Sequence, residues 1–169
     1  LWGVFMAVTF RTQQAGPLMQ QGVFLAVFLS TAYTPEVLLR GWEAWGDATP
    51  EHLRGMFAFA LFEATPRPRL LLGRDRFGIK PLAWAEHDGR LLLASQVKGL
   101  FALGLPAAWN HASLFQCVSL QYAPPSATLF AGAHELPAGH ALVVRDGSVR
   151  VVEHWDLEYP RTEPTGLGA

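Results

Sequence analysis

The sequence predicts an α+β fold in which a mainly antiparallel sheet system carries helices on its outer faces. Three observations lead there. Gly55-Met56-Phe57-Ala58-Phe59-Ala60 is a run of small and aromatic residues with no polar face, which suits a sheet buried on both sides. Asp88-Gly89 and Asp146-Gly147 each separate two apolar runs, the strongest short-range hairpin signal. Helix-start chemistry sits outside these runs, at Thr34-Pro35-Glu36, Thr49-Pro50-Glu51 and Asn110. Each offers an N-cap oxygen, and the first two add a Pro and a first-turn carboxylate.

In chain order, Val37, Leu38, Trp42 and Trp45 recur at helical spacing, with Gly46 as the stop. A short helix from Thr49 to Arg54 follows, and both helices are expected on one sheet face. Residues 55–63 and 70–74 form strands around the Thr65-Pro66-Arg67-Pro68 turn. Phe77-Gly78 makes a tight turn into a strand over 81–86, which returns through Asp88-Gly89 into 90–95. A short helix over 96–103 closes at Gly104, and Asn110 caps a helix from His111 to about Leu120. Tyr122–Phe130, with Pro124-Pro125, reads as an extended crossing. Residues 141–145 and 148–153 complete the second hairpin.

Composition narrows the function. The 169 residues carry a net charge of −1 and only 16% charged side chains, so no electrostatic argument favours nucleic acid or an anionic membrane. The single cysteine, Cys117, excludes an internal disulfide framework and any CxxC metal site. No pair among the six histidines has the HExxH or HxH spacing of a metal site, so each is expected on the surface or in a turn. From Leu1 to Pro35 the only charged side chain is Arg11; ordinary charge density returns at Glu36. The expected organisation is a divergent apolar segment (1–33), a folded domain (34–157) and a linker-like tail (158–169). Val23–Leu29 is too short to span a bilayer. It reads as a buried strand, a hydrophobic helix, the apolar part of a signal peptide or the product of a frame shift.

Five motifs now stand in order: Gly55–Ala60, Arg74-Asp75-Arg76-Phe77-Gly78-Ile79-Lys80-Pro81-Leu82, Ala94-Ser95-Gln96-Val97-Lys98-Gly99-Leu100, Leu136-Pro137-Ala138-Gly139-His140 and His154-Trp155-Asp156-Leu157. This succession resembles the amino-terminal glutaminase domain of glutamine-dependent asparagine synthetases, which are class II glutamine amidotransferases. The resemblance covers about Glu36 to Leu157. It implies a four-layer α/β/β/α sandwich of the N-terminal-nucleophile hydrolase type, here incomplete on its N-terminal side. It also implies glutamine as substrate, a cytoplasmic location and a synthetase domain or subunit as partner. ATP and Mg would belong to that synthetase part, and no cofactor is expected for this chain.

The family chemistry uses an N-terminal cysteine. Its thiolate attacks the glutamine amide carbon, and its own α-amine serves as base. This sequence begins Leu1-Trp2-Gly3, and the family's arginine loop and Asn-Gly-Glu segment have no counterpart before Pro35. Thr34 stands where the family has an Asp that pairs with the substrate ammonium, and a hydroxyl supplies no charge. Arg74 and Asp75 would lie near the glutamine pocket, or would hold the turn before Phe77-Gly78 by mutual hydrogen bonds. Cys117, in the apolar-periodic stretch 113–120, reads as a small buried hydrophobe. The sequence thus predicts an inactive glutaminase-like domain, with a non-catalytic scaffold for a separate ATP-dependent synthetase as the alternative. An exported binding module would need residues 19–32 to be a cleaved signal. Unless residues 1–33 supply replacements for the family's N-terminal strands, strand edges and an apolar sheet face stay exposed, and marginal solubility is expected.

Overall fold

A computed structural model describes residues 8–11, 23–26, 35–122 and 126–158, the first two stretches as backbone only. Helix α1 (Pro35–Trp45) is followed by a 3₁₀ turn over 46–48 and the short helix α2 (Thr49–His52). Gly46, at φ +56°, ends α1 where the sequence placed its stop. Strands β3 (Ala58–Glu63), β4 (Arg69–Arg74), β5 (Ala83–His87) and β6 (Arg90–Ala94) come next. Helices α3 (Val97–Ala102) and α4 (His111–Leu120) precede β7 (His134–Glu135), β8 (His140–Arg145) and β9 (Ser148–Glu153).

Strands β1 (Val8–Arg11) and β2 (Val23–Ala26) come from the apolar N-terminal segment. One sheet runs β1-β6-β5-β7 and the other β2-β3-β4-β8-β9, with every pairing antiparallel. The N-terminal segment therefore gives one edge strand to each sheet. These supply the replacement strands that the sequence made the condition for covered edges: β3 and β6 are paired by Phe24↔Phe62 and Thr9↔Leu92 among others. Of the readings open for Val23–Leu29, the structure has the strand over 23–26; residues 27–29 lie outside the described residues.

Alternation along the strands builds the layers. Ala58, Ala60, Leu70, Leu72 and Leu142 of the larger sheet meet Leu91 and Leu93 of the smaller sheet, with Leu82 and Leu136 beside them. The intervening residues Phe59, Leu61, Leu71, Ala141 and Val143 face the other way and bury Leu38 of α1 together with Leu53 and Phe57. On the far side, Ala83, Ala85, Leu92 and Ala94 pack against Leu100 of α3, Leu105 and Ala133. The order is helix, sheet, sheet, helix. Both faces of the central strands β3, β4, β6 and β8 are largely buried, which is why they read as continuous apolar runs, whereas β9 is mostly exposed. Each fully buried leucine contributes about 1.5–3 kcal/mol relative to exposure.

Several boundaries move. Gly55 has φ +94° and Phe57 gives its carbonyl to Asp75, so the strand expected over 55–63 begins only at Ala58. Both Asp-Gly turns form with positive φ at each residue, 49° and 66° at Asp88-Gly89 and 49° and 76° at Asp146-Gly147. That is the backbone twist a two-residue hairpin loop needs. The Asn110 side chain accepts from Ser113 N at 3.2 Å and caps α4 as expected. The two-residue strand β7 had no periodicity to announce it.

Candidate functional site

The sequence-selected residues Arg74 and Asp75 sit where β4 ends. Asp75 is completely buried. Its Oδ1 accepts from Phe77 N at 3.1 Å and Ile79 N at 3.0 Å, and its Oδ2 from Lys80 N at 3.0 Å. Its own carbonyl accepts from Gly78 N and Gly139 N, both at 3.0 Å, while its N–H donates to Phe57 O at 2.9 Å. A carboxylate holding three backbone N–H groups rigidifies a turn, and with no solvent exposure it is not open to an outside cation.

Arg74 closes the same turn from the other side. Its Nε donates to Lys80 O at 2.8 Å, one terminal nitrogen donates to Gly78 O at 2.7 Å, and the other donates to Leu136 O. An ion pair with Glu135 at 2.7 Å completes the fork. Arg74 therefore ties the turn to the Leu136–His140 motif, 62 residues away in sequence. Its planar donor array serves several carbonyls at once, which a lysine could not do.

The last motif joins the same place. The His154 ring lies 2.9 Å from the Arg74 carbonyl through Nε2, so Nε2 carries the proton and donates. The ring stacks beside Phe57 with centroids 6.5 Å apart. His154 N and Trp155 N both donate to Gly139 O, at 2.8 and 3.1 Å. Gly139 has φ +68°, and a Cβ there would collide with the Trp155 carbonyl oxygen. Only glycine fits both demands. Trp155 meets Phe77 edge-on at 5.3 Å and lies beneath the Arg76 guanidinium at 5.3 Å.

Four of the five motifs thus converge on one hub at one end of the larger sheet. The fifth, 94–100, lies elsewhere, across the end of β6 and the start of α3. His154 corrects the sequence expectation for histidines: it bridges two segments 80 residues apart instead of lying in a surface turn. Burial lowers its pKa below the ordinary histidine value; the hydrogen bond to Arg74 O works against that shift, His140 and Arg76 add to it, and Glu51 opposes it. Its place in the His-Trp-Asp-Leu motif was the only sequence signal that could have singled it out.

The other candidates are apart from the hub. Thr34 lies outside the described residues. Cys117 is half-buried on α4 and forms no disulfide. A cleft of about 450 Å3 opens beside the hub between β7 and β9, with His134, Glu135, His140 and Glu153 on its rim. Glu135 is committed to Arg74, and His140 Nδ1 pairs with Ala138 O at 2.8 Å. Among the described residues no group of three or more His, Cys, Asp or Glu could hold a metal ion, and no helix is long and apolar enough to cross a membrane.

The glutamine amidotransferase domain model matches residues 25–155, starting within β2 and ending in the hub. The chain belongs to this glutamine amidotransferase domain family. Among curated relatives, the amidotransferase domain is 36% identical over 127 residues to "Amidase chry2" of Gibberella zeae, covering 74% of this chain and 18% of that protein. It is 40% identical over 108 residues to a "Putative asparagine synthetase [glutamine-hydrolyzing]" of Mycobacterium bovis, covering 62% of this chain and 16% of that protein. It is 29% identical over 125 residues to "Asparagine synthetase [glutamine-hydrolyzing] 3" of Bacillus subtilis, covering 73% and 20%. The chain thus spans about a fifth of the length of these relatives.

Proposed function

We propose that the 169 residues are the framework of an asparagine-synthetase-type glutaminase domain and do not hydrolyse glutamine by themselves. In the whole protein, a glutamine site would release ammonia for ATP-dependent amide formation by a synthetase domain or subunit, with ATP and Mg bound there. The observation that carries the proposal is how the candidate side chains are used. Glutamine hydrolysis needs a nucleophile with a base beside it and a charged partner for the substrate's α-amine. The Asp75 carboxylate is sealed in its turn, and Arg74 is spread over three carbonyls and Glu135. Cys117, the one thiol in the sequence, sits on helix α4 with no Lys, Asp or Glu in that helix and His111 at its far end. We assign Arg74 and Asp75 to structural support rather than to substrate binding. Thr34 is proposed as the position that lacks the charge for the glutamine ammonium.

A second reading, a non-catalytic scaffold for a separate synthetase, is favoured by the outward face of α4, where Phe115, Val118 and Leu120 are exposed. Ammonia release from glutamine, measured for the chain and for Cys117→Ser, tests the first claim. No turnover above background is expected from either. Turnover that disappears with Cys117→Ser would overturn it.

A further inference from the structure

We propose that His154 is a proton-sensitive clasp that holds the segment Trp155–Glu158 against the Arg74–Lys80 turn when its ring is neutral and releases it when its ring is protonated. The geometry carries this. In the neutral ring Nε2–H donates to Arg74 O at 2.9 Å, and Nδ1 is buried with no hydrogen-bond partner among the described residues. A second proton has to go on Nδ1. It would then be a buried donor with no acceptor, on a ring now charged. The groups facing it give little compensation. Arg76, at the turn, and His140, at the start of β8, disfavour the charged ring; Glu51 of α2 is the opposing charge, and the Phe57 ring lies beside the imidazole. The segment beyond His154 has few other ties. Its backbone is held by Gly139 O, and Trp155 leans on Phe77 and Arg76, all of them parts of the hub.

The sign follows from burial. The folded-state pKa lies below the ordinary histidine value of 6.5, so the open or unfolded state binds the proton more readily. Clasp stability is complete above pH 6.5 and is lost as pH falls from there toward the folded-state value. Each unit of depression corresponds to about a tenfold change in the opening equilibrium.

Amide hydrogen exchange in the full chain between pH 7.5 and 5.0, corrected for intrinsic rates, tests it. The His154 and Trp155 amides are expected to lose protection as pH falls, while Leu92 in β6 keeps its protection. His154→Gln keeps an amide N–H donor at the Nε2 position but does not titrate, and should flatten the pH response. The same response in His154→Gln, or a loss of protection shared equally by Leu92, would overturn the proposal. If the variant does not fold, the imidazole titration of His154 in the unaltered protein decides. A midpoint below 6.5 with the Nε2–H tautomer retained supports the clasp, and a midpoint at or above 6.5 refutes it.

Discussion

The hub at the end of β4 and the helix α4 are opposites. In the hub, nearly every polar atom of Arg74 and Asp75 is satisfied, by backbone of the turn itself and by Phe57, Leu136 and Gly139 from segments far apart in sequence. On α4 only Ser113 is buried, and Phe115 and Val118 are more than 70% exposed. Yet α4 carries the chain's one thiol, while the hub carries the motifs that mark the family. The difference separates two meanings of a motif. In Arg74-Asp75-Arg76-Phe77-Gly78, one turn grips three other segments at once. Chemistry needs charged or nucleophilic groups left unsatisfied by the protein; Arg74 and Asp75 are not left so, and among the described residues only Arg76 Nε and His154 Nδ1 of the hub are buried without a hydrogen-bond partner.

The largest effect that could break this comparison is at Asp75. Asp75→Ala removes a buried carboxylate that holds three backbone N–H groups of the turn. It should destabilise the protein by about 3–5 kcal/mol, read from urea unfolding. A loss under 1 kcal/mol would mean that the carboxylate is not structural. Next comes Gly139→Ala, which adds a Cβ against the Trp155 carbonyl at a positive φ. A loss of roughly 2–4 kcal/mol is expected, together with a change in the environment of Trp155. A stability within 0.5 kcal/mol of the parent would show that the two motifs do not depend on this close approach. The smallest effect belongs to α4. Phe115→Ser with Val118→Ser should leave stability within about 0.5 kcal/mol, as for other exposed positions, and raise solubility by shrinking an exposed apolar patch. Strong destabilisation would place these side chains in a core.

The layered architecture was legible because its signals are local. Asp88-Gly89 and Asp146-Gly147 set two hairpins, Asn110 set a helix start, and the unbroken apolar character of Ala58–Leu61 announced a sheet covered on both sides. The hub's wiring was not legible. Arg74 reaches Leu136 O and His154 reaches Arg74 O across 62 and 80 residues, and a carbonyl acceptor leaves no residue-type signature. Strand β7 was missed because two residues cannot show a period. The strand over 23–26 was one of several open readings, because an apolar run without alternation fits a strand and a buried helix equally, and the strand over 8–11 had no reading of its own.

The most direct test of the hub is amide hydrogen exchange compared between the parent chain and Asp75→Asn, a milder change that keeps side-chain size. If one buried carboxylate organises the convergence, protection should fall together at Phe77, Ile79 and Lys80, which it binds, and at Gly139, His154 and Trp155, which it reaches only through the backbone of the turn. Loss confined to Phe77–Lys80, with Gly139 and His154 protected as before, would contradict the account.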